Sequence, residues 1–171
     1  MGFRITGDII RQAEDYDACE KGLKWGLEVL NQKLTVRNTA PEHILWLART
    51  EVEDLECFDL FEWCVREEPC TAIVYASHLL SPELLDWCAK KQPHAALEYV
   101  YHLLSTETLD WCAKKSPWKA LSYAGDLLSP EIFEWCVKQN PKDSIKYFKN
   151  ELSPKLLRWC TKKTIEISVF F

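Results

Sequence analysis

The chain has 171 residues, 47% of them hydrophobic and 12% aromatic, so it can bury a core and does not have the composition of a disordered segment. Its formal net charge of −5 argues against general nucleic-acid affinity, which needs clustered Lys and Arg. The charge is uneven: residues 1–70 carry 15 acids and 8 bases, whereas residues 71–171 carry 11 acids and 13 bases, with the bases concentrated after Lys138.

Near the start, Gly2 to Ile5 is compatible with an extended segment and Asp8 to Asp15 with a helix. Asp17 is placed to cap a following helix, with Glu20 three residues on as in a capping box. Leu23, Leu27 and Leu30 then form an i, i+4, i+7 stripe beside Trp25. Residues 1–40 read as an N-terminal helical cap, ending in the polar connection Asn31 to Ala40. Pro41 opens a helix expected to run to about Glu53, with Ile44, Leu45, Leu47, Ala48 and Val52 on its apolar face. A second helix is expected from about Asp54 to Arg66.

From there the chain repeats itself. The Trp-Cys pair returns at Trp63, Trp87, Trp111, Trp135 and Trp159, a constant step of 24 residues, which marks an array of supersecondary units. Each regular unit has one helix opening at Pro69, Pro93, Pro117 or Pro141. A second follows Ser81, Ser105, Ser129 or Ser153, whose hydroxyl suits an N-cap. The repeated letters, including Ala72/Ala96/Ala120, Tyr75/Tyr99/Tyr123/Tyr147 and the Trp-Cys pairs, read as the faces that meet between helices. The expectation is an all-α, right-handed α-solenoid of stacked helix pairs. It comprises about five pairs over residues 41–163 and one structural domain overall. Residues 164–171 break the pattern: Ile165 stands where a proline is due, and the segment reads as an extended hydrophobic tail. Its Phe170 and Phe171 are a candidate dimer contact.

Of the eight cysteines, Cys64, Cys88, Cys112, Cys136 and Cys160 share one repeat position. Neighbouring helices lie about 8–10 Å apart, beyond the roughly 7 Å Cα limit of a disulfide, so these thiols read as small buried hydrophobes in a reducing compartment. With no signal peptide and no apolar run near the roughly 20 residues of a membrane span, a cytoplasmic protein is expected. Cys19, Cys57 and Cys70 form no metal-ligand spacing, and the four histidines have no matched nucleophile or carboxylate; no metal, no cofactor and no enzymatic activity are expected.

Binding is the remaining function, and the positions that differ between units carry it. On the Pro69-type helices these are Cys70/Val74/Ser77, His94/Glu98/Tyr101, Trp118/Ser122/Gly125 and Lys142/Lys146/Lys149. Tyr101 and Trp118 are interface-type aromatics, and Lys142, Lys146 and Lys149 extend them with positive charge. Asp54, Glu56 and Asp59 form a second, acidic set in the negative half. The alternative is a nucleic-acid-binding ridge made of Lys90, Lys114, Lys138 and Lys162, although acids four residues earlier accompany the first three. Self-assembly through the C-terminal tail is a third reading.

The motif Pro-x-x-Ala-Leu-x-Tyr followed by Leu-Leu-Ser-Pro-Glu-Leu-Leu-Asp-Trp-Cys-Ala-Lys-Lys resembles the short helical repeats of uncharacterised phage and bacterial proteins. The opening Ala18-Cys19-Glu20-Lys21-Gly22-Leu23-Lys24-Trp25 is similar to a segment that precedes them. The resemblance implies a phage accessory protein, acting in the host cytoplasm as an inhibitor of a host defence nuclease complex, for example an anti-CRISPR protein.

Overall fold

The computed structural model describes residues 3–50, 52, 55 and 59–168. The protein is all-helical, with no strand among the described residues. Its contacts divide it into two compact units, Met1–Ala95 and Ala96–Phe171.

The first unit contains α1 (Gly7–Asp15), α2 (Glu20–Glu28), α3 (Pro41–Trp46), α4 (Phe61–Glu67), α5 (Pro69–Tyr75), α6 (Pro82–Lys91) and the short α7 (Pro93–Ala95). Thr6 caps α1 by accepting a hydrogen bond from the Ile9 amide. The expected Asp17 cap is corrected: Asp17 has φ 58° and ends α1 instead. Its amide donates to Glu14 O and the Ala18 amide donates to Ala13 O, the paired bonds of a Schellman end. The N-cap of α2 is therefore Cys19, whose Sγ accepts from the Gly22 amide at 3.4 Å. The expected leucine stripe is corrected too: Leu27 is exposed, and Gly26 and Val29 are the buried positions. α3 is shorter than expected, passing into a 3-10 turn over Leu47–Arg49, but Ile44, Leu45, Leu47 and Ala48 are all buried as the pattern requires.

The second unit begins with a wide π turn (Ala96–Val100) and a 3-10 turn (Tyr101–Leu103). It continues as α8 (Thr106–Lys115), α9 (Pro117–Ala124), α10 (Pro130–Gln139), α11 (Pro141–Phe148) and α12 (Pro154–Ser168). α8 packs on α9, α9 on α10 and α11 on α12. Local chemistry sets the helix boundaries. Ser81, Ser105, Ser129 and Ser153 accept from the amides of Leu84, Thr108, Ile132 and Leu156 at 3.3–3.4 Å. The residue before each helix-opening proline is forced out of the α region: Glu68, Ser116 and Asn140 have φ between −125° and −142° with ψ between 62° and 78°.

That same rule corrects the expected extended tail. Without a proline at Ile165 nothing interrupts α12, and it runs on through Thr164 to Ser168. The Thr164 hydroxyl donates to Cys160 O, and Lys163 pairs with Glu166 at 2.8 Å. Phe170 and Phe171 lie outside the described residues, as do Cys57, Asp54 and Glu56.

The core mixes small and large side chains. Cys64, Cys88, Cys112, Cys136 and Cys160 are buried thiols. Ala72, Ala76, Ala96, Ala113, Ala120 and Ala124 are buried with them, as are Ile44, Leu45, Ile73 and Leu97. Cys136 Sγ points to Ala113 O at 3.9 Å, bringing α10 against α8. Burial pushes the Cys64 thiol up to about 12 and those of Cys88 and Cys136 to about 11, so all three stay protonated near neutral pH. No helix among the described residues is long and apolar enough to cross a membrane.

Candidate functional site: an aromatic face on the second unit

Helix geometry decides which repeated letters face solvent. In α9, Ala120, Leu121 and Ala124 are buried, and Tyr123 lies about 200° around the helix from Leu121. The tyrosines of the second unit are accordingly half-exposed: Tyr99 at 50%, Tyr123 at 42% and Tyr147 at 56%. Leu103 and Leu127, another repeated pair, are exposed beside them in sequence at 49% and 47%. The expectation that every repeated aromatic is core is thus corrected for this row. The tryptophans fare differently. Trp63, Trp87, Trp111 and Trp159 are half-buried, and Trp135 is slightly more open. Arg66 lies 5.0 Å and Lys91 5.6 Å from the Trp87 ring centre, Lys115 lies 5.4 Å from Trp111, and Lys138 lies 5.6 Å from Trp159.

Contacts trace two local clusters on the exposed side of the second unit. Trp118 meets Tyr147 and Phe148 edge-on, with ring centres 5.4 and 5.5 Å apart, so α9 and α11 share one aromatic cluster. Lys146 sits 4.6 Å from the Tyr147 ring centre, and hydrogen bonding to Tyr147 raises its pKa above the ordinary lysine value. On the other side of Trp118, Lys119 forms an ion pair with Glu98 and lies 5.7 Å from the Tyr123 ring centre. Their mutual hydrogen bond lowers the Glu98 pKa and raises that of Lys119. Glu98 also engages the Tyr99 side chain. Glu98, Tyr99, Lys119 and Tyr123 thereby form one local cluster and Trp118, Lys146, Tyr147 and Phe148 another, both carried by α9 through Lys119 and Trp118.

Of the residues singled out from sequence, Trp118 and Lys146 are brought together through Tyr147. Lys142 and Lys149 are exposed on the same helix and at its C-cap. Tyr101 is half-buried in its 3-10 turn and stands edge-on to His102 at 5.4 Å. Asp59 is exposed in the first unit. Tyr99, Tyr123 and Tyr147 were missed; Tyr99 and Tyr123 stand two residues past the buried Leu97 and Leu121, an offset that does not say what covers the ring. The lysine ridge is partly occupied within the chain. Lys138 pairs with Glu134 at 2.5 Å besides capping Trp159, and lowers the Glu134 pKa; Lys162 lies 4.0 Å from Glu166.

Among the described residues no three His, Cys, Asp or Glu side chains stand together as metal ligands. No protein-family model, no curated protein and no solved structure matches the chain.

Proposed function

We propose that the protein is a non-catalytic binding module, a right-handed helical-repeat solenoid that holds a protein partner on its Trp118, Tyr123 and Tyr147 face. The observation that supports this most is the contact between Trp118 and Tyr147: rigid, partly exposed rings from two helices, with Lys146 beside the Tyr147 ring. Tyrosine and tryptophan give large contact area with few torsions to freeze, which is why they dominate the energetic centres of protein interfaces. Lys142, Lys146 and Lys149 favour a partner surface that is acidic around an apolar centre. The resemblance to phage repeats makes a host defence nuclease complex the first partner to test, with inhibition by occupation of its working surface as the mode of action. Asp59, with Asp54 and Glu56, is a secondary contact for any basic groove.

The test is pairwise binding of the purified chain to purified defence nuclease complexes, comparing wild type with Trp118→Ala and Tyr147→Ser. The double variant is expected to lose binding about 100-fold or more while retaining its helical circular dichroism. Unchanged affinity of a folded double variant for a bound partner refutes this face. Binding of single-stranded or duplex nucleic acid with a steep salt dependence refutes the protein-partner reading and supports the lysine ridge.

A further inference from the structure

The first unit holds a cavity of about 360 Å³ among α1, α2, α3 and α5. Trp25, Trp46 and Tyr75 supply aromatic walls and Ile10 and Leu23 aliphatic ones; Asp17, Glu42 and His43 bring polar groups, and no lysine or arginine lines it. A mostly apolar concavity with a few convergent polar groups is the form small-molecule sites take.

Two features say that the space is kept open and what suits it. Gly22 and Gly26 lie one turn apart on α2 and both line the cavity. A Cβ on Gly22 would approach His43 Nδ1 no closer than 3.4 Å, and one on Gly26 would approach Ile10 Cγ1 at 3.6 Å. Packing therefore has room for alanine at both positions, and alanine is the better helix former. What two methyl groups would do is narrow the cavity. The second feature is charge. The rings of Trp46 and Tyr75 already carry the Arg49 guanidinium, 5.6 Å and 5.5 Å from their centres, so a ligand cation is met by the carboxylates of Glu42 and Asp17 and not by these ring faces. Burial lowers the His43 pKa, against the pull of Glu42 and together with Lys21, so the imidazole is neutral at pH 7 and does not repel a cation.

We propose that this cavity binds an amphipathic organic cation: an ammonium head beside Glu42 and Asp17, with an aromatic body against Trp25, Trp46 and Tyr75. Carboxylates at the rim supply the charge, and the aromatic rings supply apolar area.

Calorimetric titration of the full chain with phenethylammonium, phenethyl alcohol and phenylacetate tests it. The ammonium should bind saturably, about tenfold or more tighter than the alcohol, with phenylacetate weakest. Glu42→Gln should bring the ammonium to within about threefold of the alcohol. The Gly22→Ala/Gly26→Ala double variant should keep or raise the melting temperature and weaken all binding by about fivefold or more. The proposal is overturned by absence of saturable ammonium binding up to about 10 mM, by phenylacetate binding as tightly as the ammonium, or by a folded glycine variant with unchanged affinity.

Discussion

Tyr75 and Tyr123 occupy the same repeat position, yet one is half-buried in the first unit and the other stands in water in the second. Around Tyr75, residues of α1, α2 and α3 close a cavity, and Arg49 covers its ring. Around Tyr123 the nearest charge is Lys119, already held by Glu98. The repeat letter specifies how a helix turns its small residues inward; it does not specify what covers the opposite edge. Elements outside the repeat decide that, and the same phenol becomes a cavity wall in one unit and an open contact in the other.

The largest effect separates the inner row from the outer one at the start of the second unit. Leu97 is fully buried and Leu103 is half-exposed. Leu97→Ala should cost about 3 kcal/mol in urea unfolding, the lost transfer energy plus the cavity left behind. Leu103→Ala should cost less than about 1 kcal/mol, because its surface is already shared with water. Equal losses at the two positions would mean that inner and outer rows are not distinct and would remove the basis for the aromatic face.

Much of this division could be read from the amino-acid order because it is set locally. A serine followed by proline caps and opens a helix wherever it stands, and the residue before a proline cannot stay helical, so the period of 24 residues translated directly into helix ends. The buried cysteines were legible for a related reason: a small apolar side chain beside a half-buried tryptophan is where two helices come closest. The tyrosine row was not, since a periodic aromatic looks the same whether it faces a neighbour or water: Tyr75 and Tyr123 stand at the same offset of about 200° from buried Ile73 and Leu121, and only their surroundings differ. The cavity was beyond reach of the pattern altogether. It depends on α1 and α2 meeting α3 and α5, and on Asp17 ending α1 rather than capping α2.

A smaller effect, of opposite sign, tests how strictly the inner row demands apolar groups. Thr108 stands where other units have Leu84, Ile132 or Leu156, and it is 1% exposed. Its amide bonds to Ser105, but its Oγ1 has no hydrogen-bond partner among the described residues. A buried hydroxyl without a partner forfeits its hydration for nothing. Thr108→Val keeps the shape and should stabilise the protein by about 1 kcal/mol, seen as a higher urea midpoint with an unchanged slope. Destabilisation would show that the hydroxyl has a structural role.

The smallest effect returns to the first unit and uses pH. His43 lies 5.6 Å from Trp25 and 3.9 Å from the Glu42 carboxylate, and burial outweighs that carboxylate to lower its pKa. The unfolded chain therefore takes up a proton at about pH 6.5 while the folded imidazole still resists it, so stability is full above that pH and declines as the pH falls. The decline ends once the folded ring is protonated too. His43→Gln removes this one titration and should flatten the wild-type loss between about pH 6.5 and pH 5 relative to the parent, with little change at about pH 8. If the two proteins lose stability in parallel, the ring is better solvated than its position implies. The cavity wall of the first unit would then be as wet as the tyrosine face of the second, and the contrast between the two units would fail at His43.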